Sequence, residues 1–108
     1  SAKARRYKVV VFVPEESLAA VREAMAGAGA GVIGNYTRCS FAARGRGTFR
    51  GGEGASPAVG SAGRLEEVEE WRLEMVVTGD VAAQVVAALK AAHPYEEVAY
   101  DVYRLEDI

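Results

Sequence analysis

The apolar positions fall into alternating runs and two helical stripes. Residues 7–13 (YKVVVFV) are β-branched and apolar on both faces at the middle, as a central strand is. Pro14 ends that run and can open a helix, where its missing N–H leaves no bond unmade. Glu15 and Glu16 then fall in a first turn that favours acids. Leu18, Val21, Met25 and Ala28 follow at helical spacing, and the glycines at 27, 29 and 31 end the stripe. A second strand is expected from about Val32, with Ile33, Cys39 and Phe41 on one face and Tyr36, Arg38 and Arg44 on the other.

From Arg44 to Arg64 the composition changes, with seven glycines and only Thr48 and Phe49 strand-like. This stretch reads as a long loop or hairpin between strands 2 and 3, mobile in part; loops of this length are functional or disordered. Residues 67–77 (EVEEWRLEMVV) alternate cleanly, with Trp71, Leu73, Met75 and Val77 on one face and Glu70, Arg72 and Glu74 on the other. Thr78, Gly79 and Asp80 offer an N-cap to a helix striped by Val81, Val85, Ala88, Leu89 and Ala92. Pro94 stops that helix by pushing His93 out of the α region, and residues 98–103 form a last strand. The order β-α-β-β-α-β predicts a ferredoxin-like α+β sandwich, one domain over residues 1–108, with two helices on one face of an antiparallel sheet. In that topology strands 2 and 3 pair. The first strand is also apolar on its second face, through Val10 and Phe12, so a cover is expected there, preferably another copy of the chain.

Composition narrows the function. The chain has 108 residues and half of them are apolar, which suits one modest core. The single Cys39 excludes an internal disulfide and a multi-cysteine zinc site. No apolar run approaches the roughly 20 residues that span a bilayer. The chain begins with strand pattern rather than a secretory leader, so a cytoplasmic location and no membrane partner are expected. Residues 1–50 carry a net +6 and residues 51–108 a net −8. Arg38, Arg44 and Arg46 facing Glu66, Glu67, Glu69 and Glu70 across paired strands would account for that asymmetry without a ligand. The overall negative charge and the lack of an RNA-binding motif argue against nucleic acid.

The ordered motifs resemble a known family over nearly the whole chain. They are YKVVVFVPEE from Tyr7, GAGVIGNY from Gly29, CSF from Cys39, GRGTFR from Gly45, LEEVE from Leu65 and AHPYEEVAYD from Ala92. They look like the domain inserted in YqfO-type members of the dinuclear-metal hexameric proteins, also called the NGG-one-interacting factor three family. That domain occurs as a short standalone protein too, and its fold is similar to CutA and PII signalling proteins. The resemblance implies a CutA/PII-like fold and a homo-oligomer, specifically a trimer. It does not carry over the parent family's metal chemistry or its hydrolase labels. A two-metal hydrolytic site needs many ligands, and this chain has one histidine.

Three candidate sites remain. His93, with Glu96, Glu97 and Asp101 nearby, is either a metal ligand or base, or a helix-ending histidine bonded to carbonyls beside a packed Tyr95. Arg44, Arg46 and Arg50 in the glycine-rich run can pair with an anion, although no P-loop or dinucleotide fingerprint is present. PII proteins bind nucleotides beside their own long loop, so the resemblance points the same way. Cys39 is either a reactive thiol beside Arg38 or a buried apolar residue. No nucleophile–base pair, acid–base carboxylate pair or full metal set emerges. The expectation is a non-enzymatic regulatory module with no cofactor, binding a small anionic ligand or a partner protein at subunit clefts. Arg44, Arg46, Arg50, His93, Tyr95, Glu96 and Glu97 are its tentative ligand-binding residues. The alternative is a CutA-like divalent-metal binder using His93 and nearby carboxylates.

Overall fold

The computed structural model describes residues 5–55 and 60–108. Strand β1 is Arg6–Val13, helix α1 Glu15–Gly27, strands β2 and β3 are Phe41–Arg50 and Leu65–Thr78, helix α2 is Ala82–Ala92 and strand β4 Tyr100–Arg104. The sheet order is β2-β3-β1-β4 and every neighbouring pair is antiparallel. This is the expected ferredoxin-like arrangement, with β2 and β3 paired and both helices on one face.

The core follows the alternation of the central strands. Val9, Val11 and Val13 of β1 and Leu73, Met75 and Val77 of β3 are buried, in register as Val9↔Met75, Val11↔Leu73 and Tyr7↔Val77. Val21 and Met25 of α1 and Val85 and Leu89 of α2 close over them. Each such side chain contributes about 1.5–3 kcal/mol by leaving water. The helix ends form as the sequence requires. Pro14 sits extended at the start of α1, and two acids fill the first turn. Beyond Gly27, Gly29 and Gly31 take positive φ, and a Cβ on Gly31 would lie 2.7 Å from the backbone of Cys39. His93 is extended at φ −81°, ψ 140°, as the following proline demands. The start of α2 differs from expectation. Its cap position is Val81 with no side-chain bond, because Thr78 Oγ1 bonds Asp80 instead of a helix N–H.

The second strand is displaced from its expected position. Residues 32–40 are not strand, because Gly34 and Arg38 both stand at positive φ and break the extended path. Ile33 and Tyr36 instead close a tight turn with two backbone bonds of 2.9 Å. The extended segment is Phe41–Arg50, in the run whose glycines suggested a loop. It pairs with β3 over its full length, from Phe41↔Glu74 to Arg50↔Leu65. The excursion is therefore shorter than expected, and part of it, residues 56–59, lies outside the described residues. The paired strands run on past the helices as an arm, and the molecule measures 45 × 24 × 23 Å.

The sheet face away from the helices is covered in part by its own chain. Val10 has no exposed surface, although its cross-strand neighbours are Glu74 and Asp101. Lys8 pairs with Glu74 at 3.4 Å, Arg72 with Glu74 at 2.9 Å, and Arg72 lies over the Phe12 ring at 5.7 Å. The alkyl stems of these residues shield the valine while their heads reach water. The Arg72 bond holds the Glu74 carboxyl below its ordinary pKa, and the Arg72 guanidinium is in turn pushed higher. The large apolar side chains left exposed are mainly Val32, Ile33, Tyr36 and Phe41, in and after the turn, with Leu65 on the arm.

Candidate functional site

The segment after α2 builds the site. His93 ends the helix, and its ring is clipped on both sides. Nδ1 accepts the Tyr95 N–H at 3.2 Å, which leaves Nε2 to donate to the Phe12 carbonyl at 2.7 Å. The ring also meets Tyr95 edge-on, with centroids 4.9 Å apart. This fixes residues 95–99 beside the end of β1 and the root of the arm, and Phe12 N–H bonds the Ala99 carbonyl at 3.1 Å.

Between that segment and the arm lies a cavity of about 320 Å³. The arm contributes Phe49, Arg50 and Gly51, β3 contributes Glu70, and the segment contributes Tyr95, Glu96, Glu97 and Ala99. The Tyr95 hydroxyl is buried without a hydrogen-bond partner of good geometry. Burial, with the nearby Glu70 and Glu16 carboxylates, pushes its pKa up to about 12, so it is a neutral donor. Arg50 is anchored, its Nε donating to the Gly63 carbonyl at 3.1 Å. Glu70 reaches in across Gly47, where any Cβ would collide with its carboxylate oxygen. A cavity of this size suits a small ligand or one partner side chain.

Four of the seven residues singled out from the sequence line this cavity: Arg50, Tyr95, Glu96 and Glu97. The other three stand outside it. Arg44 bonds Glu15 at 3.0 Å, approaches Glu69 at 3.9 Å and lies over the Trp71 ring at 5.1 Å. Arg46 bonds Glu67 at 2.7 Å. Arg44–Glu69 and Arg46–Glu67 are the cross-strand pairs expected from the charge asymmetry, whereas Arg44 also bonds Glu15 and Arg38 pairs with Glu23, both of α1. His93 has both ring nitrogens engaged within the chain. Among the described residues no three His, Cys, Asp or Glu side chains gather as a metal site. Cys39 is half-buried and lines a smaller cavity of about 160 Å³ with Ile33, Phe41 and Met75, among others. Sequence reasoning missed Glu70. The one signal for it was Gly47, two residues along the partner strand from Gly45, which pairs with Glu70.

The architecture is that of the CutA/PII-like α+β domains. CutA from Archaeoglobus fulgidus, a periplasmic divalent cation tolerance protein, superposes with a TM-score of 0.69 at 14% identity over 94% of this chain and 85% of that one. A Bacillus subtilis GlnK–ATP complex does so at 0.66 and 12% identity, over 97% of this chain and 85% of that one. At such identities the likeness is one of fold. No family model matches the chain. Sequence relatives are nonetheless close. A Halalkalibacterium halodurans protein named GTP cyclohydrolase 1 type 2 homolog is 52% identical over 99 residues, which are 92% of this chain and 27% of the relative. A Bacillus cereus protein related to NIF3 superposes with a TM-score of 0.84 at 47% identity, over 96% of this chain and 26% of that one. The chain is a homologue of one segment of these YqfO-type, NIF3-related proteins, and it spans about a quarter of their length. No helix among the described residues is long and apolar enough to cross a membrane.

Proposed function

We propose that this chain is a non-enzymatic binding and regulatory module. It works as a homo-oligomer and takes a small ligand or a partner's side chain in the cavity between the arm and residues 95–99. The observation that carries this reading is the cavity itself, which brings Arg50, Glu96 and Glu97 together around the Tyr95 hydroxyl, buried next to the Glu70 carboxylate. The trimeric state is what the resemblance to CutA, PII and YqfO-type domains implies. The parent name describes proteins about four times as long as this chain, and their activity is not carried over to it. The ligand reading is preferred to the divalent-metal one because both ring nitrogens of His93 are engaged with the backbone in this structure.

Native mass spectrometry of the protein purified without an affinity tag tests this. The expected result is a trimer that retains extra mass, and that mass is reduced in Tyr95→Phe. A bare monomer in both proteins would overturn the reading.

A further inference from the structure

Among the described residues, His93 is the one polar or charged residue that is buried. Its two ring nitrogens do opposite jobs. Nδ1 accepts the Tyr95 N–H at 3.2 Å, and Nε2 donates to the Phe12 carbonyl at 2.7 Å. Only the neutral ring with its proton on Nε2 makes both bonds, because an imidazolium donates from both nitrogens. A second proton would stand on Nδ1 facing the Tyr95 N–H, donor against donor, in a residue only 7% exposed to water. The Tyr95 ring closes one side, edge-on at 4.9 Å. Titratable and charged groups approach from several elements. Tyr95, Glu96 and Glu97 follow in the same segment, Glu16 of α1 and Glu70 of β3 lie near the Tyr95 hydroxyl, and Lys90 of α2 lies over the Tyr100 ring. From β1 the group that meets the ring is the Phe12 carbonyl. Histidine is the side chain whose charge ordinarily changes between about pH 5 and 8, whereas carboxyls and amines titrate outside that range. Tyr95 is pushed up to about 12 and stays neutral there. The carboxylates favour a charged ring, but the Tyr95 N–H opposes the proton at the atom that would take it.

We infer that His93 is a proton-operated clasp: the neutral ring holds residues 95–99 against the end of β1, and a second proton on Nδ1 releases them. The step takes up one proton from solvent and breaks no covalent bond. The released segment is a wall of the cavity, since Tyr95, Glu96, Glu97 and Ala99 line it. Ala99 is tied to the same point of β1, its carbonyl accepting the Phe12 N–H at 3.1 Å. Acidification therefore dismantles the cavity and neutral pH builds it. The bearing on ligand binding rests on the proposed ligand site, whereas the release itself does not.

NMR of the full chain without ligand tests the clasp. Imidazole nitrogen shifts read the protonation of the ring. Amide hydrogen exchange, referred to intrinsic exchange at each pH, reads the Tyr95 and Phe12 N–H groups. At about pH 8 the ring is expected to be neutral with its proton on Nε2. Toward about pH 5 the protection of both amides should fall about tenfold or more, in step with ring protonation. Val85, whose N–H bonds the Val81 carbonyl at the start of α2, should keep its protection. His93→Asn keeps an acceptor in the place of Nδ1 and takes up no proton in this range, so its Tyr95 amide should not respond to pH. A ring that takes the proton while both amides stay unmoved would overturn the clasp. So would a ring that stays neutral down to about pH 5, an equal pH-dependent loss in His93→Asn, or a parallel loss at Val85. Each outcome is read without a ligand, so failure of the clasp leaves the ligand site to its own test.

Discussion

At the scale of single residues, His93 and Tyr95 divide two tasks that one sequence motif merges. His93 is 7% exposed and holds the chain by both nitrogens, so its role is positional. His93→Ala should lower stability by about 1–3 kcal/mol, read from urea unfolding, because it strands the Phe12 carbonyl and the Tyr95 N–H. The metal content of the protein should not change. Tyr95 faces the cavity with a pKa raised from 10.0 to about 12. Its folded value lies above its unfolded one. The stability it contributes is therefore complete below pH 10.0 and is lost as pH rises toward about 12. Urea midpoints of the parent chain should fall across that window more steeply than those of Tyr95→Phe. Parallel curves would place the hydroxyl in ordinary solvent. The helix-ending reading of His93 was legible because proline constrains its predecessor. Tyr95's proximity to Glu70 was not, since they lie 25 positions apart and meet through packing alone.

At the scale of elements, the two helices and the central strands were legible from periodicity, and β2 was not. Helix stripes and strand alternation report burial directly, and Val21, Met25, Val85, Leu89, Leu73 and Met75 are all buried. β2 buries none of its own side chains fully. Its ten residues are extended because β3 supplies a hydrogen-bonding template, and Arg46–Glu67 pairs across it. Glycine carries no side-chain pattern to announce such a strand. The two strand glycines differ in a way that can be measured. A Cβ at Gly45 meets nothing within 4 Å, whereas one at Gly47 meets the Glu70 carboxylate. Gly45→Ala should be neutral or slightly stabilising. Gly47→Ala should cost less than about 1 kcal/mol, because the flexible end of Glu70 can swing aside. Combining it with Glu70→Ala should remove that cost, a coupling of about 0.5 kcal/mol in a double-mutant cycle. Additive effects would mean that the carboxylate does not pass over Gly47.

At the scale of the whole molecule, the acidic second half neutralises the basic first half only in part, since Arg38 and Arg44 bond Glu23 and Glu15 of α1. Arg44 and Arg46 meet Glu69 and Glu67 across the arm, and Arg72, Glu74 and Lys8 roof the open sheet face. Glu74 titrates below its ordinary value, chiefly through Arg72. Its contribution is present above its unfolded pKa, ordinarily 4.5, and is lost as pH falls through the depressed folded value. The acid limb of the stability curve should therefore be shallower in Glu74→Gln. Assembly is testable on the same scale. For a homo-oligomer the unfolding temperature rises with protein concentration, and sedimentation over that range should report one associated species.

The sequence by itself determined the element order, the two helix ends, the buried faces of β1 and β3, and the relation to YqfO-type domains. Each of these is written in local spacing or in ordered motifs. Tertiary structure alone decided that the glycine-rich run is a strand and that Val10 is sheltered by ion-paired neighbours. It alone gathered an acid from β3, an arginine from the arm and a tyrosine after α2 around one cavity. Those outcomes depend on which distant segments pair and pack, and pairing between segments leaves no period in a single stretch of chain.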